Sequence, residues 1–409
     1  MLLSAPTSYW HKTISEMPLT TCLPRSADCV VIGGGYLGVS ICYWLARSGA
    51  NVVLLERDFL ASGATGRNGG FISVGPTEAY PDAIRRLGHQ TAKEILQVTL
   101  DSRRLLRQVL REEEITCDYR ECGHVTLALT SSQQIALSQN SIALQSDGVT
   151  TNLLARKDVE EMIKTPLGAD IMGGLFMPEM ALVHPVRLIH GIVQAAQRHG
   201  ADTVNATVSQ IVPDSTHVKI CTSQGTIYTD HVIVATNAWI TELLPQLKHV
   251  VVPVRGQVLT YTPLPPLFRT GLSVDMTGTE EYWQQALDGT IVLGGGRATA
   301  PNRDVGIVSS QPTEEVQHTL EQVFPRLFPA LSGLHVQQRW AGLMAFTPDY
   351  LPLADQIPSM SGVWVVGGFS GHGMPFGMQL GYLLADSLLQ GVPDEKLRPF
   401  RLARPTLLL

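Results

Sequence analysis

The sequence has no uninterrupted apolar run that approaches the ~18 residues of a membrane-spanning helix. It also has no cluster of Lys and Arg, and its formal net charge of -6 at pH 7 argues against nucleic acid as a partner. The N-terminal stretch lacks a basic segment followed by an apolar one, so no secretory signal is predicted. These absences predict a chain that spans no membrane, binds no nucleic acid and has small molecules as its partners.

Cysteine is scarce, with six residues in 409, and the six are scattered along the chain. Most lie in apolar stretches, which favours reduced thiols in a cytoplasmic protein. Cys117 and Cys122 have the C-x4-C spacing of flavin disulfide reductases, but they lie in an expected loop entering a strand, so we expect no redox role. His124 and His184 have no metal-ligand partners at useful spacing, and no metal site is predicted.

Residues 28–57 carry the strongest local pattern in the chain. A short β-branched run at 29–32 is typical of a buried parallel strand. Glycines follow, then an amphipathic stretch at 36–47 that predicts a helix, and a second apolar strand at 52–55. This order of strand, turn, helix and strand predicts an α/β domain built on a parallel sheet.

The turn in this unit has G-x-G-x-x-G spacing, at Gly33, Gly35 and Gly38. Such glycines let the backbone turn tightly and approach a pyrophosphate, which then lies at the helix N-terminus. Glu56 ends the second strand about 20 residues further on, where an acid accepts hydrogen bonds from a ribose. Together they predict a dinucleotide site. A glycine-rich turn in an unrelated α/β protein is the alternative.

Residues 58–70 form a loop dense in glycine and small residues, with Arg67 and Asn68 between the glycines. So much glycine without periodicity indicates backbone pressed against a ligand. A flexible surface linker would also explain the glycines, but it gives no reason for the arginine and the asparagine. We expect Arg67 and Asn68 to contact the ligand.

The later part of the chain alternates between two kinds of structure. Residues 78–114 are predicted to be a long helix with one break, and 174–185 a loop that leads into another helix. A buried strand at 230–239 ends in small residues, a profile that returns to the first sheet, whereas 250–294 is rich in strands. Because this block interrupts an α/β chain, we predict two domains that are interleaved in sequence.

Four stretches, in this order and spanning nearly the whole chain, carry a resemblance to a known family. They are 32–38 (IGGGYLG), 63–70 (GATGRNGG), 235–239 with 252–257 (ATNAW and VPVRGQ), and 340–349 with 368–373 (WAGLMAFTPD and GFSGHG). The pattern resembles the FAD-dependent D-amino acid oxidase superfamily, which includes glycine oxidase and sarcosine oxidase. It is most similar to the γ-glutamylputrescine oxidase-like branch.

The resemblance implies an α/β (α+β) fold, with an FAD-binding Rossmann-like domain interleaved with an antiparallel-sheet substrate domain. The expected FAD-binding domain comprises 1–115, 153–248 and 336–409, and the substrate domain 116–152 and 249–335. The implied reaction oxidises the C–N bond of an amine, with hydride passing to flavin N5 and the imine product hydrolysing. The reduced flavin would then be reoxidised by O2, giving H2O2, or by another acceptor.

Several positions depart from the family pattern. Sarcosine oxidases attach FAD through a cysteine where this chain has Gly342, so FAD is expected to bind without a covalent link. The cationic residues that hold a small α-carboxylate in glycine oxidase and sarcosine oxidase correspond here to Met344, Gly371 and Pro375. Their loss indicates an amine whose reacting carbon has no neighbouring carboxylate. The oligomeric state and the electron acceptor stay open.

Two alternatives to an amine oxidase stay open. One is an oxidase or dehydrogenase of amino acids or N-methyl amino acids that uses another anchor, such as Arg297 or Arg303. The other is a flavin-binding subunit of a complex, with no turnover of its own. Pyridine-nucleotide reductases and monooxygenases are disfavoured, because no second G-x-G-x-x-G follows a strand downstream.

His372, Tyr282 and Arg67 are the candidate catalytic residues. His372 adjusts the protonation of the amine, forms a hydrogen bond with the flavin, or satisfies a backbone carbonyl. Tyr282 and Trp283 lie on opposite faces of a strand, so only one can face the flavin, and we expect Tyr282. The helix after His372 is expected to stabilise negative charge at N1–C2=O of the reduced flavin. The residues expected to contact FAD are Gly33, Gly35, Tyr36, Leu37, Gly38, Glu56, Arg57, Thr65, Gly66, Arg67, Asn68, Gly69, Gly70, Val208, Thr236, Asn237, Trp239, Gly342, Gly368, Gly371, His372, Gly373 and Met374.

Overall fold

The structure is a computed structural model that describes residues 7–214, 217–276 and 280–408, so the first six residues of the expected FAD-binding domain lie outside the described residues. The strands, in chain order, are β1 Ser26–Ile32, β2 Val52–Glu56, β3 Phe71–Ile72, β4 His124–Ala128, β5 Asn152–Ala155, β6 Gly173–Met177, β7 Ala181–Leu182, β8 Asp202–Asn205, β9 Val208–Pro213, β10 Val218–Thr222, β11 Gly225–Val234, β12 Val252–Tyr261, β13 Gly271–Val274, β14 Glu281–Gln285, β15 Ile291–Gly294, β16 Val336–Phe346, β17 Leu353–Gln356 and β18 Val363–Gly367. The α-helices are α1 Tyr9–Lys12, α2 Tyr36–Arg47, α3 Tyr80–Leu87, α4 His89–Glu112, α5 Ser131–Ser146, α6 Arg156–Met162, α7 Pro185–Arg198, α8 Ile240–Leu243, α9 Glu314–Glu321, α10 Val323–Leu327 and α11 Gly377–Gln390.

The first sheet has the strand order β17-β18-β11-β1-β2-β8, and β10 and β9 extend it from β11. The five strands β8, β2, β1, β11 and β18 run parallel, so their carboxyl ends meet along one edge. Every residue of β2 is buried, because helices or loops cover both faces of the sheet. In such sheets ligands bind beyond the carboxyl edge of the strands.

Helices α2, α7 and α11 pack against one face of this sheet. The crossing of α2 and α11 is close: a β-carbon at Gly377 would overlap the Tyr36 ring, and one at Gly381 would overlap Ser40. Because Tyr36 and Gly377 are the first residues of their helices, the two N-termini lie side by side. Both helices follow a parallel strand, so their positive dipole ends meet at the carboxyl edge.

The second sheet has the order β16-β12-β15-β14-β13-β4-β6-β5 and is antiparallel except where β4 pairs with β13. Residues along β14 alternate between its two faces. Trp283 is fully buried against Phe324 and Phe328, on the face covered by α9 and α10. Tyr282 projects from the opposite face, towards Gly69 of the first domain's loop.

The mixed α/β architecture confirms the expected fold class, but the sheets divide the chain at different points from the expected domain boundaries. Strand β6 pairs with β4 on one side and with β5 on the other, and β16 pairs with β12 over its length, so β5, β6 and β16 belong to the second sheet. The boundaries above had assigned 153–248 and 336–409 to the FAD-binding domain. The predicted loop at 174–185 is also wrong, since it contains most of β6 and all of β7.

The predicted helices agree with the structure in most places. The helix at 36–47 is confirmed at both ends as α2. The helix predicted over 78–114 is confirmed as α3 and α4, with a break at Gly88, whose φ is 81°. Within the described ranges, none of the helices is both long and apolar enough to cross a membrane.

Candidate cofactor and substrate site

The turn between β1 and α2 depends on contacts that only glycine tolerates. Gly33 has a φ of 116°, and a β-carbon there would lie 2.8 Å from the Ala235 carbonyl oxygen at the end of β11. A β-carbon at Gly38 would overlap the carbonyl oxygen of Gly33. Gly35 is the N-cap of α2 and supplies no capping side chain. The helix N-terminus is therefore suited to hold an anionic group such as a pyrophosphate.

Glu56 lies at the carboxyl end of β2 and is almost fully buried. Its carboxylate oxygens accept hydrogen bonds from the N–H groups of Gly34, at 2.6 Å, and Asp58, at 2.9 Å. Burial raises the pKa of Glu56, and these two N–H groups oppose the rise. Since a carboxylate has about four acceptor positions, it can also accept hydrogen bonds from ribose hydroxyls.

Three other predicted cofactor contacts lie near Glu56. The Arg57 guanidinium lies over the Trp239 ring, 4.9 Å from its centre. Val208 begins β9 just after Ala206, whose N–H donates to the Glu56 carbonyl at 2.9 Å. The structure therefore brings the predicted residues Arg57, Val208 and Trp239 to the same end of the site.

Thr236 and Asn237 follow β11 at the carboxyl edge. The side-chain oxygen of Asn237 accepts a hydrogen bond from the Gly368 N–H at 3.2 Å, which ties the end of β11 to the end of β18. The Thr236 hydroxyl is buried and has no hydrogen-bond partner within the described part of the chain. Buried polar groups are seldom left unpaired, so a polar ligand is the expected partner for Thr236.

Arg67 links the glycine-rich loop to the second sheet. Its Nε donates to the Ser62 carbonyl at 2.8 Å and its Nη1 to the Ala341 carbonyl on β16 at 3.1 Å. Trp340 on the same strand donates to the Arg67 carbonyl at 2.9 Å. A β-carbon at Gly342 would lie 2.9 Å from the Arg67 β-carbon, so Gly342 permits this close approach. Arg67 thus joins the two domains behind the loop.

The side chain of Asn68 shapes the loop itself. Its Oδ1 accepts from the Gly70 N–H at 2.7 Å and its Nδ2 donates to the Thr65 carbonyl at 2.8 Å. The Thr65 hydroxyl in turn accepts from the Tyr36 N–H, at the start of α2, at 3.1 Å. The loop is therefore fastened to the helix N-terminus, and Asn68 holds the loop backbone in its shape.

Residues 8–13, which we call the clasp, hold the outer side of this loop. The Trp10 indole donates to the Asn68 carbonyl at 2.8 Å, and the Ser8 hydroxyl donates to the Gly66 carbonyl at 2.6 Å. The Tyr9 hydroxyl donates to Asp288 on the second sheet's β14–β15 hairpin at 2.8 Å. The clasp therefore connects the loop to both domains, a role that the sequence did not reveal because its partners are more than fifty residues away.

Loss of the clasp's indole hydrogen bond is expected to weaken cofactor binding. Trp10→Phe keeps an aromatic ring but leaves the Asn68 carbonyl without its donor. We expect the loop to relax and the FAD affinity to fall about tenfold. The measurement is quenching of flavin fluorescence on titration into apoprotein. Trp364→Phe is the matched control, because the Trp364 indole N–H has no partner within the described residues. Equal affinities for the two variants would contradict the role assigned to the clasp.

Side chains from the second sheet and from β3 lie opposite the loop and the turn before α11. The Phe71 and Tyr282 rings meet edge to face with centres 5.6 Å apart. The Met344 sulfur lies 3.2 Å, and Phe346 Cζ 3.9 Å, from the position of a β-carbon at Gly371. Burial raises the pKa of Tyr282 to about 12, so this phenol is neutral at physiological pH. The side chains at this position are therefore neutral and mostly apolar.

His372 lies in the turn between β18 and α11, and its Nε2 donates to the Gly75 carbonyl at 3.2 Å. The Ser73 hydroxyl is 3.4 Å from the same nitrogen. Burial lowers the pKa of His372 to about 4, although the hydrogen bond to Gly75 opposes this shift. His372 is thus neutral above about pH 5 and holds residues 73–75 against the turn, as expected of the structural role considered above.

The neutral state of His372 gives a pH prediction. His372→Asn keeps a donor for the Gly75 carbonyl, so the pH dependence of flavin reduction between pH 6 and 9 should match that of the wild type, because no proton leaves His372 in that range. Anaerobic stopped-flow absorbance measures the rate at each pH. Loss of an ionisation near neutrality in the variant alone would show instead that His372 titrates with the substrate.

The family model of FAD-dependent oxidoreductases (DAO) matches residues 28–387. The chain belongs to this family. Probable oxidoreductase OrdL of Rhizobium meliloti (strain 1021) is 27% identical over 390 residues, which cover 93% of this chain and 88% of the relative. Gamma-glutamylputrescine oxidoreductase of Escherichia coli (strain K12) is 24% identical over 373 residues, covering 90% and 84%.

Among solved structures, glycine oxidase from Geobacillus kaustophilus superposes with a TM-score of 0.81 at 22% identity, covering 93% of this chain and 99% of the other. At that identity the likeness shows the fold alone. Family membership confirms the expected resemblance, the enzyme class and FAD as the cofactor. The site fits FAD in three respects: paired helix N-termini for the pyrophosphate, the Glu56 carboxylate for a ribose, and the unpaired Thr236 hydroxyl.

Proposed function

We propose that this chain oxidises the C–N bond of an amine that carries no carboxylate on the reacting carbon. Bound FAD supplies the hydride acceptor, and the imine product leaves and hydrolyses. The observation that carries the proposal is the contact between Met344 and Gly371, two of the positions where the family's amino acid oxidases hold a carboxylate. A carboxylate placed there would lie against a thioether and a glycine, neither of which carries a charge that could pair with it.

The residues around this space have three tasks in the proposed reaction. Tyr282, Phe71 and Met344 exclude water and orient the neutral amine, which needs positioning more than a strong base. His372 keeps the turn before α11 in place. The N-terminus of α11 then directs its dipole towards the cofactor site, where it stabilises negative charge that develops during hydride transfer.

The cofactor is proposed to bind without a covalent link, because Gly342 supplies no nucleophile where sarcosine oxidases have a cysteine. Acid precipitation of the holoenzyme should leave the flavin in the supernatant, and flavin retained in the pellet would overturn this point. The electron acceptor is proposed to be O2 or another oxidant. A peroxide assay during turnover separates these two.

An oxidase of amino acids or N-methyl amino acids is the second candidate. The similarity to glycine oxidase is consistent with it, whereas the similarity to gamma-glutamylputrescine oxidoreductase favours an amine. The loss of all three carboxylate anchors favours the amine.

The test is anaerobic mixing of the holoenzyme with a panel of primary and secondary amines, amino acids and N-methyl amino acids. We expect amines to bleach the flavin absorbance fastest. Faster bleaching by glycine, proline or sarcosine than by every amine would overturn the substrate class. No bleaching by any compound would favour the alternative of a flavin-binding subunit without turnover.

Two further expectations stand as proposals. We propose a reducing, cytoplasmic setting, which is supported by six thiols that are all free in the structure, Cys117 and Cys122 among them. We also propose two functional domains, one for each large sheet, with β5, β6 and β16 assigned to the substrate domain by their pairing. Limited proteolysis of the holoenzyme tests the second proposal by the positions of the first cuts.

A further inference from the structure

Arg297 follows β15 and starts a 3₁₀ turn, Arg297–Thr299, beside the strand that carries Tyr282. The carbon of its guanidinium lies 4.9 Å from the centre of the Phe346 ring, and its Nη1 donates to the Arg303 carbonyl at 3.3 Å. The guanidinium therefore lies over an aromatic side chain, a placement typical of arginine at recognition sites.

This guanidinium is half-buried and has no carboxylate within ion-pair distance in the described ranges. Glu280 and Asp304 influence its charge only from further away. Asp304 is engaged elsewhere, because both its oxygens accept hydrogen bonds from Arg255 at 2.8 Å. Partial removal of a cation from water without a counter-ion is unfavourable, and an anionic ligand would compensate for it.

Phe346 separates Arg297 from the turn that begins α11. The edge of the Phe346 ring approaches Gly371, with Cζ 3.9 Å from the position of a β-carbon there. The exposed ring of Tyr350 meets Phe346 edge to face with centres 6.0 Å apart. The charge of Arg297 also reaches the Tyr282 hydroxyl. Arg297 therefore lies one aromatic ring away from the turn at 370–374.

We propose that Arg297 binds a carboxylate at the end of the substrate remote from the amine carbon that is oxidised. This inference rests on the proposed function, which places the reacting carbon near the turn at 370–374. An α-carboxylate on that carbon would face Met344 and Phe346, whereas a carboxylate several bonds away reaches past the ring to the guanidinium. An arginine–carboxylate pair can form two parallel hydrogen bonds. Arg297 therefore favours long amines that end in a carboxylate over amines that end in a neutral group.

The experiment compares straight-chain ω-amino acids, from aminobutanoate to aminooctanoate, with their amides of equal length. The half-saturation concentration for anaerobic flavin reduction is measured in the wild type, Arg297→Gln and Arg297→Lys. We expect Arg297→Gln to raise this concentration roughly tenfold to hundredfold for the best acid and to leave its amide unchanged. Arg297→Lys should recover part of the loss. Arg269→Gln, a change at an exposed loop arginine, is the control.

Two results with the amine substrates would overturn the inference. One is an equal change in the half-saturation concentration for the acid and for its amide in Arg297→Gln. The other is a selective loss with α-amino acids, which would make Arg297 an α-carboxylate anchor. Hexanoate has no amine that could be oxidised, and its binding is read from the shift of the oxidised flavin spectrum. It therefore tests this inference separately from the proposed function. If no amine reduces the flavin but hexanoate binding depends on Arg297, the proposed function fails and the anion site stands. Hexanoate binding that is the same in wild type and Arg297→Gln removes the anion site, whatever the amines do.

Discussion

Replacing Gly38 with alanine should yield a protein that purifies without flavin. The added β-carbon would overlap the Gly33 carbonyl oxygen, so either α2 must move away from β1 or the turn must change shape. Neither adjustment is small, because eleven of the twelve residues of α2 are buried. The displaced N-terminus would no longer direct its N–H groups at the pyrophosphate, and we expect FAD affinity to fall at least a hundredfold, or about 3 kcal/mol.

The flavin content of the purified protein, read from the ratio of visible to ultraviolet absorbance, measures this effect. Gly333→Ala is the control, because Gly333 is exposed and a β-carbon there has no heavy atom within 4 Å. Overpacking also destabilises the fold, so Gly35→Ala serves as a second variant: its β-carbon meets only the Thr65 hydroxyl, at 3.3 Å. A yellow Gly38→Ala protein with wild-type FAD affinity would show that this turn does not hold the cofactor.

The ease with which this turn was predicted follows from its local character. The strand, the three glycines, the helix and the acid all lie within residues 28–57, and each is specified by its immediate neighbours. The predicted helix at 36–47 matches α2 residue for residue, and the strand predicted at 52–55 is β2 without its last residue, Glu56. Only the start of β1 was placed too late, since β1 begins at Ser26.

Sheet membership was harder, because it depends on partners far away in sequence. β6 begins with Gly173 and Gly174, which have no side chains to show alternation, so the segment was read as a loop. A β-carbon at Gly174 would lie 2.7 Å from the Thr126 carbonyl on β4, and this close pairing is what requires glycine there. Such a requirement is visible only once the neighbouring strand is known.

The same limit applies to the site. Period-two alternation was sufficient to predict that Tyr282 and Trp283 lie on opposite faces of their strand, but it did not by itself select which of them faces the site. Three other features depend on contacts between residues more than forty positions apart in sequence. They are the hydrogen bond from Arg67 to the Ala341 carbonyl, the clasp contact of Trp10 and the position of Arg297 against Phe346. The residue types were informative, but their partners could not be predicted from the sequence.

The second large effect concerns Asp349, which belongs to the Thr-Pro-Asp stretch of the family resemblance. Its carboxylate accepts two hydrogen bonds from Arg404, at 2.6 and 2.9 Å, and one from the Thr406 hydroxyl at 2.6 Å. Both charged side chains are at most 5% exposed. Burial by itself would raise the pKa of Asp349, but the bonds from Arg404 and Thr406 outweigh it and hold the pKa below its ordinary value.

This ion pair supports the turn that leads to α11. Thr347, two residues before Asp349, donates through its N–H to the Ser370 hydroxyl at 3.3 Å. A β-carbon at Gly368 would lie 2.6 Å from the Thr347 methyl group. The stretch that includes Thr347 and Asp349 therefore packs against residues 368–370. In this way a motif with no reacting atoms supports the cofactor site.

Asp349→Leu should lower the free energy of unfolding by about 3 to 5 kcal/mol, because it leaves the Arg404 guanidinium buried without its counter-ion. Arg404→Leu should cost a similar amount. The double variant should lose clearly less stability than the sum of the two single losses, because it removes both charges. It still leaves the Leu351 and Pro352 carbonyls without their donor. Because the pKa of Asp349 is depressed in the folded state, the pair's contribution is complete at neutral pH and is lost as the pH falls through that pKa.

Urea unfolding of the holoenzyme at pH 7, at fixed FAD concentration, measures these changes. Asp355→Asn is a suitable control, because Asp355 is only half-buried and forms no ion pair in the described ranges. Additive losses in the double variant would show that the two residues act independently. Asp349→Leu with unchanged stability would mean that the Arg404 charge is satisfied by its carbonyl partners alone, and that the turn before α11 does not depend on this pair.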